Sequence, residues 1–310
     1  MKPIERAPEL GPLMTAMLTP FDAGGEVDLR EAARLARFLV DEGNHGLVVC
    51  GTTGESPALD DVEKLALFAA AKDAVGDRAA IVAGTGGNNT HHSVELTQRA
   101  QAAGADAILA VVPYYNKPTQ DGMLLHFGAI AEATSLPIVI YNIPSRTGAN
   151  MLPVTLLELA RRHRNIAGVK ESSGDCAQFS KILAERPSGF GFWCGDDHLF
   201  LPALALGADG VISVAAHACA RELRELLGAY DGGDVERAAR IHLELSPLFA
   251  MLFETTSPIP IKWAMNELGF ALGPCRSPLG AMPEELATRL RPALEPFRER
   301  VRALAAPATP

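Results

Sequence analysis

Lysine is scarce in this sequence: seven of its 28 basic residues are lysines and the rest are arginines. Cysteine is scarce too. Its five copies (Cys50, Cys176, Cys194, Cys219, Cys275) are scattered with no C-x-x-C pair, which excludes a zinc ribbon and a disulfide framework. A reduced, cytoplasmic compartment is the resulting expectation. No apolar run reaches the roughly 18–20 residues that span a bilayer. The opening "MKPIERAPEL" lacks the apolar core of a secretory signal, so none is expected. Positive charge is in deficit: net charge is −9, and "ARRHRN" (160–165) is brief. Phosphate backbones demand clustered cations, so a nucleic-acid partner is not expected.

What the chain does have is an ordinary globular composition, 48% hydrophobic and 21% charged, over a length of 310 residues that fits one large α/β domain or two smaller ones. Its dominant pattern is alternation. Short apolar runs bounded by Gly, Pro or Asp read as strands: "LMTAML" (13–18), "GLVVC" (46–50), "AAIVAG" (79–84), "AILAVV" (107–112), "PIVIYN" (137–142), "IAGVK" (166–170), "FGFWCG" (190–195) and "GVISV" (210–214). Between them lie amphipathic stretches at about 28–42, 60–75, 90–103, 119–134, 153–163, 176–186, 197–207 and 216–229. Asp28 is a candidate N-cap, and Asp60 with Glu63 has capping-box spacing. Eight strands alternating with helices predict a (β/α)8 barrel over 11–230, with an open doubly wound sheet as the alternative. Helical segments near 234–253, 258–268 and 283–304 predict a helical extension, 231–305, packed on the barrel, and "APATP" (306–310) reads as a disordered tail.

Barrel active sites form where strands end. After the apolar runs come "GTTGES", "GTGGNNT", "PYYNKP", "YNIPSRTG", "KESSGD" and "GDDH", so hydroxyls, phenols, two lysines (Lys117 and Lys170) and one arginine gather at one rim. Lys170 closes a strand. Burial disfavours an ammonium ion, and a neutral amine forms a Schiff base with a ketone; a lysine that snorkels to solvent or pairs with Glu171 fits the position equally. Tyr141 reads as core or as a proton relay beside that amine. Thr52-Thr53 reads as a self-satisfied turn or as a carboxylate cradle. Tyr114-Tyr115 reads as interface packing. Arg146 is either a surface ion pair or a bidentate carboxylate clamp.

Other motifs carry less. "GTGGNN" lacks G-x-G-x-x-G spacing, and "GTTGES" lacks the Lys-Ser/Thr of a P-loop. His91-His92 reads as a solvated helix start, and Asp196 or Asp197 in "DDH" as a helix N-cap.

Taken together, "GTTGES", "AGTGGNNT", "PYYNKPTQDG", "YNIPSRTG", "GVKESSGD", "GDD", "GVISV" and "PIPIKWAMNELG" give the chain, over about residues 11–270, a close resemblance to the dihydrodipicolinate synthase family, class I aldolase-type lyases related to N-acetylneuraminate lyase. The resemblance implies that Lys170 forms a Schiff base with pyruvate. Tyr141, Thr52 and Tyr115 would relay protons, with Tyr115 reaching across a dimer interface in a homodimer or homotetramer. Thr52 and Thr53 would hold the pyruvate carboxylate, with Ile212, Gly195 and Asp196 also at the substrate. Arg146 would bind the carboxylate of aspartate semialdehyde. It further implies a role in lysine and diaminopimelate biosynthesis with no metal or organic cofactor. Positions matching the lysine-effector site are Asp61, Lys64 and His92, where lysine-inhibited enterobacterial members carry two histidines and a glutamate; Asn88 and Tyr114 match. A cation at Lys64 and no carboxylate at position 92 imply weak lysine inhibition. "KESSGD" also occurs in sugar-acid aldolases and dehydratases, and "CRSPLGAMP" departs from the usual ending, so a related pyruvate-dependent aldolase or keto-sugar-acid dehydratase is the alternative. A phosphate-binding or silent barrel is the non-enzymatic one.

Overall fold

A computed structural model of the chain describes residues 10–305; the predicted tail, 306–310, lies outside them. Eight parallel strands alternate with helices and close on themselves: β1 Leu13–Ala16, β2 Gly46–Val49, β3 Ala80–Gly84, β4 Ala107–Val111, β5 Ile138–Asn142, β6 Ile166–Glu171, β7 Gly191–Cys194 and β8 Gly210–Ser213. Each strand pairs with the next, and β8 pairs with β1 through Met14 opposite Ile212. The expected barrel is therefore present, and the open sheet is excluded.

The helices start where local chemistry says they should. In α1 (Leu29–Asp41) Asp28 accepts the Glu31 amide, and in α2 (Asp61–Val75) Asp60 and Glu63 form a reciprocal capping box. Such caps are worth about 0.5–2 kcal/mol each. The barrel continues through α3 (Thr90–Ala102), α4 (Gln120–Glu132), α5 (Pro144–Thr147), α6 (Pro153–Arg162), α7 (Cys176–Glu185), α8 (Phe200–Leu206) and α9 (Ala216–Asp231). The sequence pattern does not reveal α5. Pro144 opens this single turn and Gly148, at φ 70°, closes it. The predicted helix at 197–207 is a 3-10 turn, Asp197–Leu199, leading into α8.

Among the described residues four helices follow the barrel: α10 Val235–Leu252, α11 Ile259–Glu267, α12 Glu284–Ala293 and α13 Glu295–Ala305. The pattern at 283–304 reads as one helix, but Pro292 and Pro296 lack the amide donors a continuous helix needs, and it breaks at Leu294. Arg300 ties α13 to the barrel through ion pairs with Glu222 of α9 and with Glu42 just after α1. No described helix is long and apolar enough to cross a membrane.

Two apolar layers result. One lies between strands and helices; the other fills the barrel, with Met14, Val48, Val82, Val139, Trp193 and Ile212 among its members. Strand side chains alternate between these layers. On β6, Gly168 leaves room for the Trp193 ring, since a Cβ there would lie 2.6 Å from it. Two residues on, the same inward face carries Lys170.

Candidate active site

The register sets the site. Tyr141 on β5 lies opposite Lys170 on β6, and Asn142 lies opposite Glu171. The inward pair meets directly: the Lys170 Nζ is 4.4 Å from the Tyr141 ring centroid. Lys170 is only 5% exposed, so it does not snorkel into solvent. Glu171 faces the outer layer, fully buried, where its carboxylate accepts from Asn142 Nδ2 (3.1 and 3.2 Å), the Ser173 amide (2.7 Å) and Gln178 Nε2 (3.1 Å). Among the described residues its partners are amides, not the lysine. Burial pushes the Glu171 pKa up, and these hydrogen bonds oppose the rise. This outer lock fixes the strand register that puts phenol and amine together.

Beyond Lys170, space is tight. A Cβ at Gly195 would stand 1.9 Å from Ser172 Oγ and 2.9 Å from Lys170 Cε. The Gly195 amide donates to the Glu171 carbonyl at 2.9 Å. Ser172 Oγ is buried with no hydrogen-bond partner among the described residues.

A cavity of about 390 Å³ opens at this rim, lined among others by Thr52, Tyr114, Tyr141, Ile143 and Arg146. The structure thus brings three of the expected residues to one space, with Lys170 joined to it through the Tyr141 ring. Arg146, on α5, is steadied by donating to the Ser257 carbonyl at 3.1 Å. Thr53 and Ile212 are buried and do not line the cavity; Ile212 packs in the barrel interior with Tyr141. Asp196 is the cap of the 3-10 turn, accepting the His198 amide at 2.9 Å, and also lies off the cavity. Tyr115 is 89% exposed in the single chain and sits at φ 70°, in left-handed backbone that tyrosine rarely adopts.

The same cavity takes in Lys64, Asn88, His92 and Tyr114. His92 is not the solvated helix start its sequence suggests. Its Nε2 lies 3.0 Å from the Asp61 carboxylate, which also accepts from Arg99 at 3.1 Å. His91 is exposed, and no group of three His, Cys, Asp or Glu among the described residues is arranged to hold a metal. Asp197 is buried and accepts from the Ser213 hydroxyl and the Val214 and Ala215 amides, fixing the turn out of β8.

The sequence reading passed over Asn142 and Glu55 and took Glu171 only as a possible partner of Lys170. Strand alternation, which turns the neighbour of an inward residue outward, is the signal that places Asn142 and Glu171.

The fold and site define a (β/α)8-barrel enzyme with a lysine, Lys170, buried at the rim against a tyrosine. Comparison with known proteins narrows this. A sequence profile of the Dihydrodipicolinate synthetase family matches residues 9–296. A relative from Moorella thermoacetica, named 4-hydroxy-tetrahydrodipicolinate synthase, is 53% identical over 276 residues, 89% of this chain and 94% of its own. The lysine-bound dihydrodipicolinate synthase of Cyanidioschyzon merolae superposes with a TM-score of 0.90 at 40% identity, covering 96% of this chain and 98% of the other. The Acinetobacter baumannii synthase, solved with pyruvate, gives 0.88 at 34% identity over 95% of this chain and 99% of the other. The chain belongs to the dihydrodipicolinate synthetase family, and it is a lyase of the 4-hydroxy-tetrahydrodipicolinate synthase type.

Proposed function

We propose that this chain condenses pyruvate with aspartate semialdehyde to give 4-hydroxy-tetrahydrodipicolinate, for lysine and diaminopimelate biosynthesis, through a Schiff base on Lys170. The observation that carries the reading is a buried amine held in register with a tyrosine whose ring centroid lies 4.4 Å away. The Lys170 amine adds to the pyruvate ketone, and loss of water leaves an iminium ion. That cation acidifies the adjacent methyl group, and removal of one proton gives the enamine. Its carbon attacks the aldehyde, whose oxygen takes up a proton. The amino group of the semialdehyde then adds to the iminium carbon and displaces Lys170, closing the ring. Tyr141, with Thr52 and a partner chain's copy of residue Tyr115, carries the protons both ways. The exposure and left-handed backbone of Tyr115 support a role across an interface. In this reading Thr52 and Thr53 take the pyruvate carboxylate, with Gly195, Asp196 and the Ile212 carbonyl at that end, although of these five only Thr52 lines the cavity of the single chain. Arg146 takes the semialdehyde carboxylate. The reaction as written needs no metal or organic cofactor.

Lysine is a weak inhibitor in this reading. Lys64 lines the cavity as a cation, and the Asp61 carboxylate is already engaged by His92 and Arg99. The two ammonium groups of lysine are repelled by the one and not drawn by the other.

The deciding assay pairs pyruvate with aspartate semialdehyde and with a panel of sugar-derived aldehydes. The semialdehyde gives the highest kcat/KM, and Arg146→Ala raises its KM while sparing that of pyruvate. Faster turnover of a sugar aldehyde would assign the chain to the related aldolases instead.

A further inference from the structure

We infer that Lys262, on α11 in the helical part that follows the barrel, positions the Thr52-Thr53 loop for the substrate carboxylate by acting through Glu55. The inference rests on the functional reading above.

Lys262 and Glu55 form an ion pair at 2.6 Å with side chains 2% and 1% exposed, across 207 residues of sequence. The second Glu55 oxygen accepts the Arg276 amide at 2.8 Å. Lys262 Nζ lies 4.1 Å from the Phe21 ring centroid, and the Arg276 guanidinium lies 4.3 Å from that same centroid. Arg276 in turn binds the Glu63 carboxylate and the carbonyls of Gly25 and Ala58. Glu55 is therefore gripped from the segments around α11 and not by its own loop alone.

The loop needs that grip. Its two ends, Cys50 and Glu55, both sit at φ 56°, a left-handed conformation that L side chains hold only when their surroundings impose it. The Glu55 amide donates to the Thr52 carbonyl at 3.0 Å, so a shift of Glu55 carries Thr52 with it. The Thr19 hydroxyl holds the Gly54 carbonyl at 2.7 Å. Stability is a poor reason for such a pair, because buried ion pairs are often replaced by apolar residues without loss. Two further reasons fit. The charges fix the geometry of a strained turn, and Lys262 supplies the counter-charge to a buried carboxylate two and three residues from the threonines that take the substrate carboxylate.

The test uses Lys262→Met, Glu55→Gln and the double variant, in steady-state kinetics with both substrates, borohydride trapping across a pyruvate titration, and thermal melting. The double variant leaves no unpaired charge and melts close to the wild type. We expect its KM for pyruvate to rise roughly tenfold to a hundredfold, as for a displaced binding group, with KM for the aldehyde unchanged. Glu55→Gln, nearly isosteric, shifts in the same direction. A folded double variant with the wild-type KM for pyruvate overturns the proposal, and so does failure of both Glu55→Gln and the double variant to fold, which marks the pair as structural. Wild-type protein that traps no pyruvate overturns the functional reading itself.

Discussion

Gly195→Ala tests how closely the site is built around Lys170. The added Cβ would lie 1.9 Å from Ser172 Oγ, 2.9 Å from Lys170 Cε and 3.1 Å from Lys170 Cγ. Carbon contacts under 3 Å do not persist, so something moves. The Ser172 hydroxyl has no partner among the described residues to lose and rotates away at a cost of about 0.5–1.5 kcal/mol. The lysine chain has less freedom, since Tyr141 and Trp193 flank it across the β5–β6 and β6–β7 pairings. Overpacking of this kind costs about 1–3 kcal/mol of stability. A displacement near 1 Å of a reacting group costs about a hundredfold in rate. Gly195→Ala therefore stays folded, with a melting point lowered by a few degrees, and loses about two orders of magnitude in kcat and in the rate of pyruvate trapping. Adding Ser172→Ala removes the worst overlap and recovers stability, but the two lysine contacts remain and activity does not return. Differential scanning fluorimetry with single-turnover trapping reads both quantities. Near-normal trapping in Gly195→Ala, or full recovery in the double variant, would refute the packing argument.

Three other outcomes follow from the same geometry. His217 is fully buried, its Nε2 accepting the Leu18 amide at 3.1 Å and its Nδ1 donating to the Val214 carbonyl at 2.9 Å, and burial lowers its pKa from 6.5 to about 4. Between those values the unfolded chain binds a proton that the folded chain refuses, so the contribution of His217 is present above pH 6.5 and is lost as pH falls toward 4. Its slope approaches 1.4 kcal/mol per pH unit; His217→Gln, compared by urea melts from pH 7.5 to 5, is less stable at neutral pH and shows a shallower slope, whereas parallel curves would contradict the assignment. Lysine at sub-millimolar concentration leaves turnover unchanged, and Lys64→Ala makes the enzyme more sensitive; strong inhibition of the wild type would defeat the charge argument. Lys170→Ala and Tyr115→Phe chains, each nearly inactive alone, regain activity when refolded together, because one mixed site receives both native side chains; mixtures that stay inactive would remove Tyr115 from the partner's site.

Much of this was legible in the residues. The eight apolar runs became the eight strands because each is short, bounded by turn residues and followed by an amphipathic stretch, and parallel strands buried on both faces carry that signature. Asp28 and Asp60 mark their helix starts by chemistry that needs no tertiary context. Lys170 and Tyr141 stood out as polar groups closing apolar strands. Other features depend on contacts that no local pattern encodes. Nothing in "GTTGES" shows that its glutamate meets a lysine 207 residues away. Nor does "HH" show that His92 turns toward Asp61 on another helix. The α5 turn is too short for periodicity to reveal, yet it carries Arg146.

The most direct measurement is reductive trapping. The protein is incubated with pyruvate and borohydride, digested, and its peptides are weighed and sequenced by mass spectrometry. The account predicts one stoichiometric three-carbon adduct on the side-chain nitrogen of Lys170, absent from Lys170→Arg. No adduct, or one spread over surface lysines, would contradict it.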